Sequence, residues 1–295
     1  MYEMTNDTFY AAVLGSPIAH SKSPQMHRTA YRYLNVPIQY DRLEITEADA
    51  DEFISTLTQR YGSTKRLAGF SVTMPLKSAL VPHMKHVSQR VEQLGVLNTV
   101  VFDHEGNATG YNTDVDGIRY ALTSAAYQPG STGSMGILGA GGTASAAIAA
   151  AADMNLDSVV LYVRNPARAQ DNVAVAQRCG LKVDVRYLTE FSEHVQQHSA
   201  IVATLPATAA DWLVDQLPSH GLPPLLDVIY EPWPTALAAA WSATGAKIAS
   251  GLDMLLYQGV EQVKLLTEKL VDQHSLIDWD AVTHQMAVAL DLERQ

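Results

Sequence analysis

Cysteine is nearly absent. Cys179 is the one cysteine in 295 residues. That excludes an intramolecular disulfide framework and any metal site built on several thiolates. Cys179 reads most simply as a small core hydrophobe in a reducing compartment. Long hydrophobic runs are also missing. The longest strongly apolar stretch, residues 144–152, is Ala-rich and contains Ser145. It falls far short of the roughly 20 residues that a bilayer helix needs. The first ten residues have neither the basic start nor the apolar segment of a secretion signal. A cytoplasmic protein with no membrane partner is expected.

Basic charge is scarce too. Lys and Arg number 20 against 31 Asp and Glu, a formal net charge of −11. Phosphate-backbone binding wants a basic face, so nucleic acid is not an expected partner. An anionic small molecule remains possible on these grounds, because pocket charge is local. Hydrophobic residues make up 47% and charged residues 17%. This composition supplies an ample core and is wrong for a disordered chain. The length suggests about two domains.

Short apolar runs alternate with helical patterns. Residues 10–15 read as a buried strand that stops at Gly15 and Pro17. Ser23 and Pro24 open a helix, with Ser23 at the N-cap and Pro24 at the first helical position. Strands over 39–45 and 69–73 flank an amphipathic helix over 49–60. Residues 97–102 and 108–111 form a hairpin about His104-Glu-Gly-Asn107. Residues 128–133 have linker composition. Strands over 135–138, 158–163, 182–185, 200–204, 225–229 and 247–249 then alternate with helices. That alternation predicts a parallel, doubly wound sheet. Long helices over 254–270 and 278–292 close the chain. The expected fold class is α/β: an N-terminal α/β domain, then a Rossmann-type domain, with the C-terminal helices returning to the first. The expected boundaries are 1–114 plus 251–295, and 115–250.

The strand at 135–138 runs into Gly139-Ala140-Gly141-Gly142-Thr143-Ala144 and an Ala-rich helix. Gly139 permits a tight turn, Gly141 lets a pyrophosphate approach the backbone, and Ala144 lets helix and strand pack closely. The helix start supplies free N–H groups and a dipole for the anion. The flanking elements favour a dinucleotide site over a merely glycine-rich turn. An NAD site wants an acidic residue at the end of the next strand. This strand ends instead in Arg164-Asn165-Pro166-Ala167-Arg168. Guanidinium groups pair with phosphate through forked hydrogen bonds, which favours NADP(H). The plain alternative is a solvated arginine pair, and Asn165 caps the following helix in either case. His83 and His86 lack Glu or Cys partners at ligand spacing. They read as a surface helix face, so no metal is expected.

Polar residues sit beside strand ends in the first domain. They are Ser21 and Ser23, Thr73 and Lys77, Asn98, and Asp114. Convergence there suits a small, hydroxyl-rich, anionic molecule. Taken singly, each has a plain structural role: Ser23 and Asp114 as helix caps, Lys77 as a surface lysine. The chain resembles the shikimate dehydrogenase family over nearly its whole length. The resemblance rests on residues 15–24 (GSPIAHSKSP), 69–77 (GFSVTMPLK), Asn98-Thr99, 112–114 (NTD), 139–142 (GAGG) and 251–258 (GLDMLLYQ). It implies NADPH-dependent reduction of 3-dehydroshikimate to shikimate in the chorismate pathway. It implies a catalytic pair, Lys77 and Asp114, and carboxylate-holding hydroxyls, Ser21 and Ser23. Thr73, Asn98, Tyr230 and Gln258 match further substrate ligands. Gly139, Ala140, Gly141, Gly142, Thr143, Arg164, Asn165 and Arg168 match the cofactor motifs.

The sequence departs from the family pattern twice. Ser71 stands where many members have Asn, and Val163 where many have Asn before the first arginine. Two other readings share the scaffold: an NAD-dependent quinate/shikimate dehydrogenase, and a non-catalytic ligand sensor. The two arginines argue against the first. Retention of Lys77 and Asp114 argues against the second, because a binder needs no proton relay. Oligomeric state, monomer or homodimer, is left open.

Overall fold

In the computed structural model, which describes residues 8–128, 132–271 and 274–292, the first apolar run forms β1 (Phe9–Gly15). Five further strands join it: β2 (Ile38–Glu44), β3 (Leu67–Val72), β4 (His86–Val87), β5 (Thr99–Phe102) and β6 (Ala108–Tyr111). The sheet order is β2-β1-β3-β5-β6-β4. β1 runs parallel to β2 and β3, whereas β5 runs antiparallel to β3 and β6. β3 is buried along its whole length, as a central strand with both faces covered should be. A methyl group at Gly69 would strike the Val100 carbonyl and the Leu266 side chain, so β5 and a C-terminal helix close directly onto its backbone. Phe53, Phe70, Leu76, Leu97 and Phe102 fill the core on one side of this sheet.

Three expectations in this region change. Ser23 is not an N-cap. The helix spans Ser23–Tyr33, Lys22 precedes it with helical dihedrals, and Pro24 stands second. No side chain of the cap residue bonds the helix start, and in the turn before it Ser21 Oγ accepts from the Ser23 N–H (3.3 Å). The helix expected over 49–60 is broken into Ala50–Ser55 and Leu57–Tyr61. Between them the Thr56 hydroxyl donates to the Glu52 and Phe53 carbonyls (2.9 and 3.1 Å), a bond that competes with the helix ladder. His83 and His86 share no helix face. His83 ends a 3₁₀ turn, with Nε2 3.0 Å from Asp51 Oδ1, and His86 lies in β4.

The second sheet holds β7 (Ser134–Leu138), β8 (Ser158–Val163), β9 (Lys182–Tyr187), β10 (Ala200–Ala203), β11 (Leu225–Asp227) and β12 (Ile248–Ala249). All its pairings are parallel, in the order β12-β11-β10-β7-β8-β9. The order reverses between β7 and β10, the switch point at whose carboxyl ends such sheets bind ligands. The Ala-rich helix Gly142–Asp153 is buried over Ala144–Ala151. Its small side chains are apolar but for Ser145, whose buried hydroxyl accepts from Asn172 Nδ2 (2.9 Å). The linker expected over 128–133 lies largely outside the described residues.

The chain divides into two compact units, Met1–Thr113 with Gly259–Gln295, and Asp114–Gln258. One boundary falls immediately before Asp114. The other falls within the helix Gly251–Thr267. A last helix, Trp279–Ala289, belongs to the first unit and is capped by Asp278 Oδ1, which accepts from the Ala281 N–H (3.0 Å). No described helix is long and apolar enough to cross a membrane.

Candidate active site

In the first unit, the turns after β1 and β3 are stitched together. Thr73 N donates to the Leu14 carbonyl (2.9 Å), and Ser16 N to the Met74 carbonyl (3.0 Å). A methyl at Gly15 would strike Thr73 Cγ2 and come within 2.7 Å of the Met74 oxygen, so only glycine permits this closeness. The turn then enters the short helix Leu76–Ala79, which carries half-buried Lys77. The Lys77 carbonyl accepts from Leu97 N (2.9 Å), which fixes its backbone against the chain entering β5. The loop after β1 carries Ser21, and the helix that follows opens on the buried Ser23. Arg42, on β2, donates from Nε and a terminal nitrogen to the Ser21 carbonyl (3.0 and 2.6 Å).

β5 runs antiparallel to β3, so its start lies at the end of β3. Buried Asn98 therefore joins Thr73 and Lys77 at one sheet edge, and its carbonyl accepts from Val72 N (2.7 Å). Asn98 Oδ1 accepts from the Thr113 N–H (2.7 Å) and from the Thr99 hydroxyl (2.8 Å). Its Nδ2 donates to Thr113 Oγ1 (3.0 Å). Asn98 thus holds the residue that leads directly into Asp114.

The second unit carries Asp114, Tyr230 and Gln258. Asp114 is the first residue of the helix Asp114–Ser124 and is buried. This helix approaches the helix Gly251–Thr267 at Gly117, where a methyl would lie 2.8 Å from the Met254 oxygen and 2.9 Å from Gln258 Cβ. Gln258 is buried there, and its Nε2 donates to the Leu255 carbonyl (3.0 Å). Tyr230 lies three residues past β11, and burial raises the pKa of its phenol. The loop carrying it is anchored by buried Asp227. The two carboxylate oxygens accept from Ile229 N (3.1 Å) and the Thr235 hydroxyl (2.6 Å). Thr235 in turn caps the helix Ala236–Ala243 through Ala238 N (3.0 Å). Desolvation raises the pKa of the Asp227 carboxyl, against the effect of these bonds.

The glycine loop lies at the switch point of the parallel sheet. Gly139 has φ +110°, and a methyl there would collide with the Thr204 hydroxyl, so both backbone and space demand glycine. Its N–H donates to the Tyr162 carbonyl on β8 (2.9 Å), which ties the loop to the neighbouring strand. Gly141 and Gly142 differ. Both are exposed, and a methyl at either would meet no protein atom within 4 Å. The fold leaves open the space that a pyrophosphate needs, at a helix start that no side chain caps. Ala140 and Thr143 flank it, half-buried. Arg164 and Arg168 are exposed beyond β8, and Asn165 Oδ1 accepts from Ala167 N (3.1 Å) as a cap. Val163 is buried in the core, so this departure from the family pattern places an apolar side chain inside. The loop, the uncapped helix start and the two guanidinium groups fit a phosphorylated dinucleotide. Among the described residues, no group of three or more His, Cys, Asp or Glu side chains could hold a metal ion.

Sequence reasoning missed Arg42, Gln262, Asp227 and Thr235, which support the candidate residues. It gave the Ser71 hydroxyl no partner. Each acts through contacts that no local pattern announces.

Residues 13–100 match the family described as the shikimate dehydrogenase substrate binding domain. The shikimate dehydrogenase (NADP(+)) of Staphylococcus aureus strain MRSA252 is 31% identical over 268 residues, 90% of this chain and 95% of that protein. The chain belongs to the shikimate dehydrogenase family. A solved shikimate 5-dehydrogenase from Mycobacterium fortuitum is 35% identical, with a TM-score of 0.82 over 97% of this chain and 99% of that one. The Thermus thermophilus shikimate 5-dehydrogenase, solved in complex with NADP(H) and shikimate, is 27% identical. Its TM-score is 0.74, over 96% of this chain and 100% of that one. Membership of the shikimate dehydrogenase family accounts for both sheets, the mixed one and the parallel one.

Proposed function

We propose that this chain is an NADP-dependent oxidoreductase that interconverts 3-dehydroshikimate and shikimate in the chorismate pathway, working in the cytoplasm. The observation that carries this reading is the 31% identity over 95% of an NADP(+) shikimate dehydrogenase. The local geometry supports it. Ser21 and Ser23 hold the substrate carboxylate, and Thr73, Asn98, Tyr230 and Gln258 take its remaining polar groups. Lys77 and Asp114 act as one unit on the reacting C–O group, handling the proton that ketone reduction places on oxygen. NADPH, when bound, supplies the hydride that the carbon receives. The backbone of residues 139–143 would hold the pyrophosphate, and Arg164 and Arg168 the 2′-phosphate. Residues 1–114 with 251–295 thereby serve as the substrate domain and residues 115–250 as the NADP-binding domain.

The test is absorbance of the reduced nicotinamide, with shikimate or quinate offered against NADP⁺ or NAD⁺. Rapid reduction of NADP⁺ by shikimate alone is expected. Equal rates with quinate and NAD⁺ point to the dual-substrate enzyme. Absence of turnover with every pair, in folded protein, points to a sensor.

A further inference from the structure

A buried polar chain lies beneath the strand ends of the first unit, and the roles given above leave it unused. Gln262 is at its centre and is 1% exposed. Its Nε2 donates to the Asn98 carbonyl (3.0 Å) and to Thr99 Oγ1 (3.0 Å). Its Oε1 accepts from the Ser71 hydroxyl (2.7 Å) and lies 3.2 Å from His27 Nε2. Ser71 accepts in turn from the Tyr40 hydroxyl (2.6 Å). His27 Nδ1 lies 3.0 Å from the Tyr31 hydroxyl, and the His27 ring stacks on Tyr40 at 4.3 Å between centroids.

The donor and acceptor inventory fixes the direction of every bond. Gln262 Oε1 can only accept, so His27 carries its hydrogen on Nε2 and accepts from Tyr31 at Nδ1. Thr99 accepts from Gln262 and spends its own hydrogen on Asn98 Oδ1 (2.8 Å). Asn98 Oδ1 also receives the Thr113 N–H (2.7 Å). A flipped Asn98 amide would set an N–H group against the Thr113 N–H and lose that bond, and the Thr99 hydroxyl would have to turn from donor to acceptor. The Thr113 N–H sets the side-chain orientation of Asn98, and the Thr99 hydroxyl, itself held by Gln262, supports it from below.

We infer that Gln262 and Thr99 are positioning residues that fix the Asn98 amide for the substrate. This rests on Asn98 being a substrate ligand, as proposed above. Neither residue touches the reacting atoms. Ser71, where the sequence departs from the family pattern, is the link that ties this chain to Tyr40.

Thr99→Val keeps the shape and removes the hydroxyl, and Thr99→Ser keeps the hydroxyl. The KM for shikimate is expected to rise about tenfold in Thr99→Val, the effect of one lost hydrogen bond of roughly 1.4 kcal/mol. The change in kcat stays within about threefold, and Thr99→Ser restores KM. By calorimetry, Thr99→Val adds nothing to the loss of shikimate affinity in an Asn98→Ala background, because the route through Asn98 is already gone. Gln262→Glu, which faces the Asn98 carbonyl with an acceptor, is expected to raise KM likewise. It is the variant to read if Thr99→Val does not fold. A KM within twofold of wild type, equal losses in Thr99→Val and Thr99→Ser, or multiplying losses in the double variant would each overturn the inference. A folded wild type that neither binds nor oxidises shikimate overturns the substrate reading itself, and with it this inference. An active wild type with an indifferent Thr99→Val overturns only the positioning role.

Discussion

Acid should weaken the first unit through His27, and the size of the effect can be worked out. His27 is fully buried, and desolvation lowers its pKa from 6.5 to about 3, opposed by the bond to Gln262. In the unfolded chain the ring takes up its proton near the ordinary value. The folded pKa lies below the unfolded one, so the stabilising contribution is complete well above 6.5. It is lost as pH falls through 6.5 and stops changing below about 3. At pH 5 the unfolded state is favoured by about 1.5 pH units times about 1.36 kcal/mol, or about 2 kcal/mol, relative to pH 8. The assay is urea unfolding of wild type and His27→Gln at both pH values. The fixed cost of the substitution cancels when each protein is compared with itself. His198 is also lowered, to about 4, and contributes to both proteins, so it cancels in the difference. Wild type should lose about 2 kcal/mol more than the variant. Equal losses would refute the neutral, buried ring. So would a ring resonance that titrates near its ordinary value in the folded protein.

The other predictions concern the site and the backbone. Lys77→Ala and Asp114→Ala should each cut kcat by about 100-fold or more, the usual contribution of a positioned acid or base; near-normal turnover in either removes it from the catalytic pair. Combined Arg164→Ala and Arg168→Ala should raise the KM for NADPH at least about tenfold and leave that for NADH nearly unchanged, because only the 2′-phosphate is released. An equal change for both cofactors would mean that the arginines are merely solvated. Gly69→Ala should lower Tm by several degrees, since the new methyl meets a backbone carbonyl that has no room to yield. An unchanged Tm would show that β3 and β5 can separate at little cost.

The sheets were legible because apolar runs bounded by Gly and Pro are local signals. The strands at 108–111 and 158–163 were read with the ends they have, and the other strands read fall within two residues. β4 was not legible, because two residues carry no period. The glycine loop was legible for the same local reason, as its turn, helix start and arginines follow in one stretch. Ser23 misled because a Ser-Pro pair at a helix start fits two registers, and it is Lys22 that holds the cap position. The polar chain under the first unit was invisible. Gln262 and Asn98 are 164 residues apart, and nothing near Gln262 in sequence distinguishes it from any other helical glutamine. Asp227 was hidden by its plainness, a strand-end carboxylate whose partner comes eight residues later.

The split of the first unit across the chain bears on how the protein is made. Residues 8–113 emerge from the ribosome well before Gln262 and Leu266. Until then the Gln262 amide is missing from Ser71, Thr99 and the Asn98 carbonyl, and the backbone at Gly69 has no helix over it. The unit Asp114–Gln258 is continuous and can close during synthesis. The first unit must wait, half-built, with its central strand uncovered. A segment translated after the whole of the second unit is thus the keystone of the first.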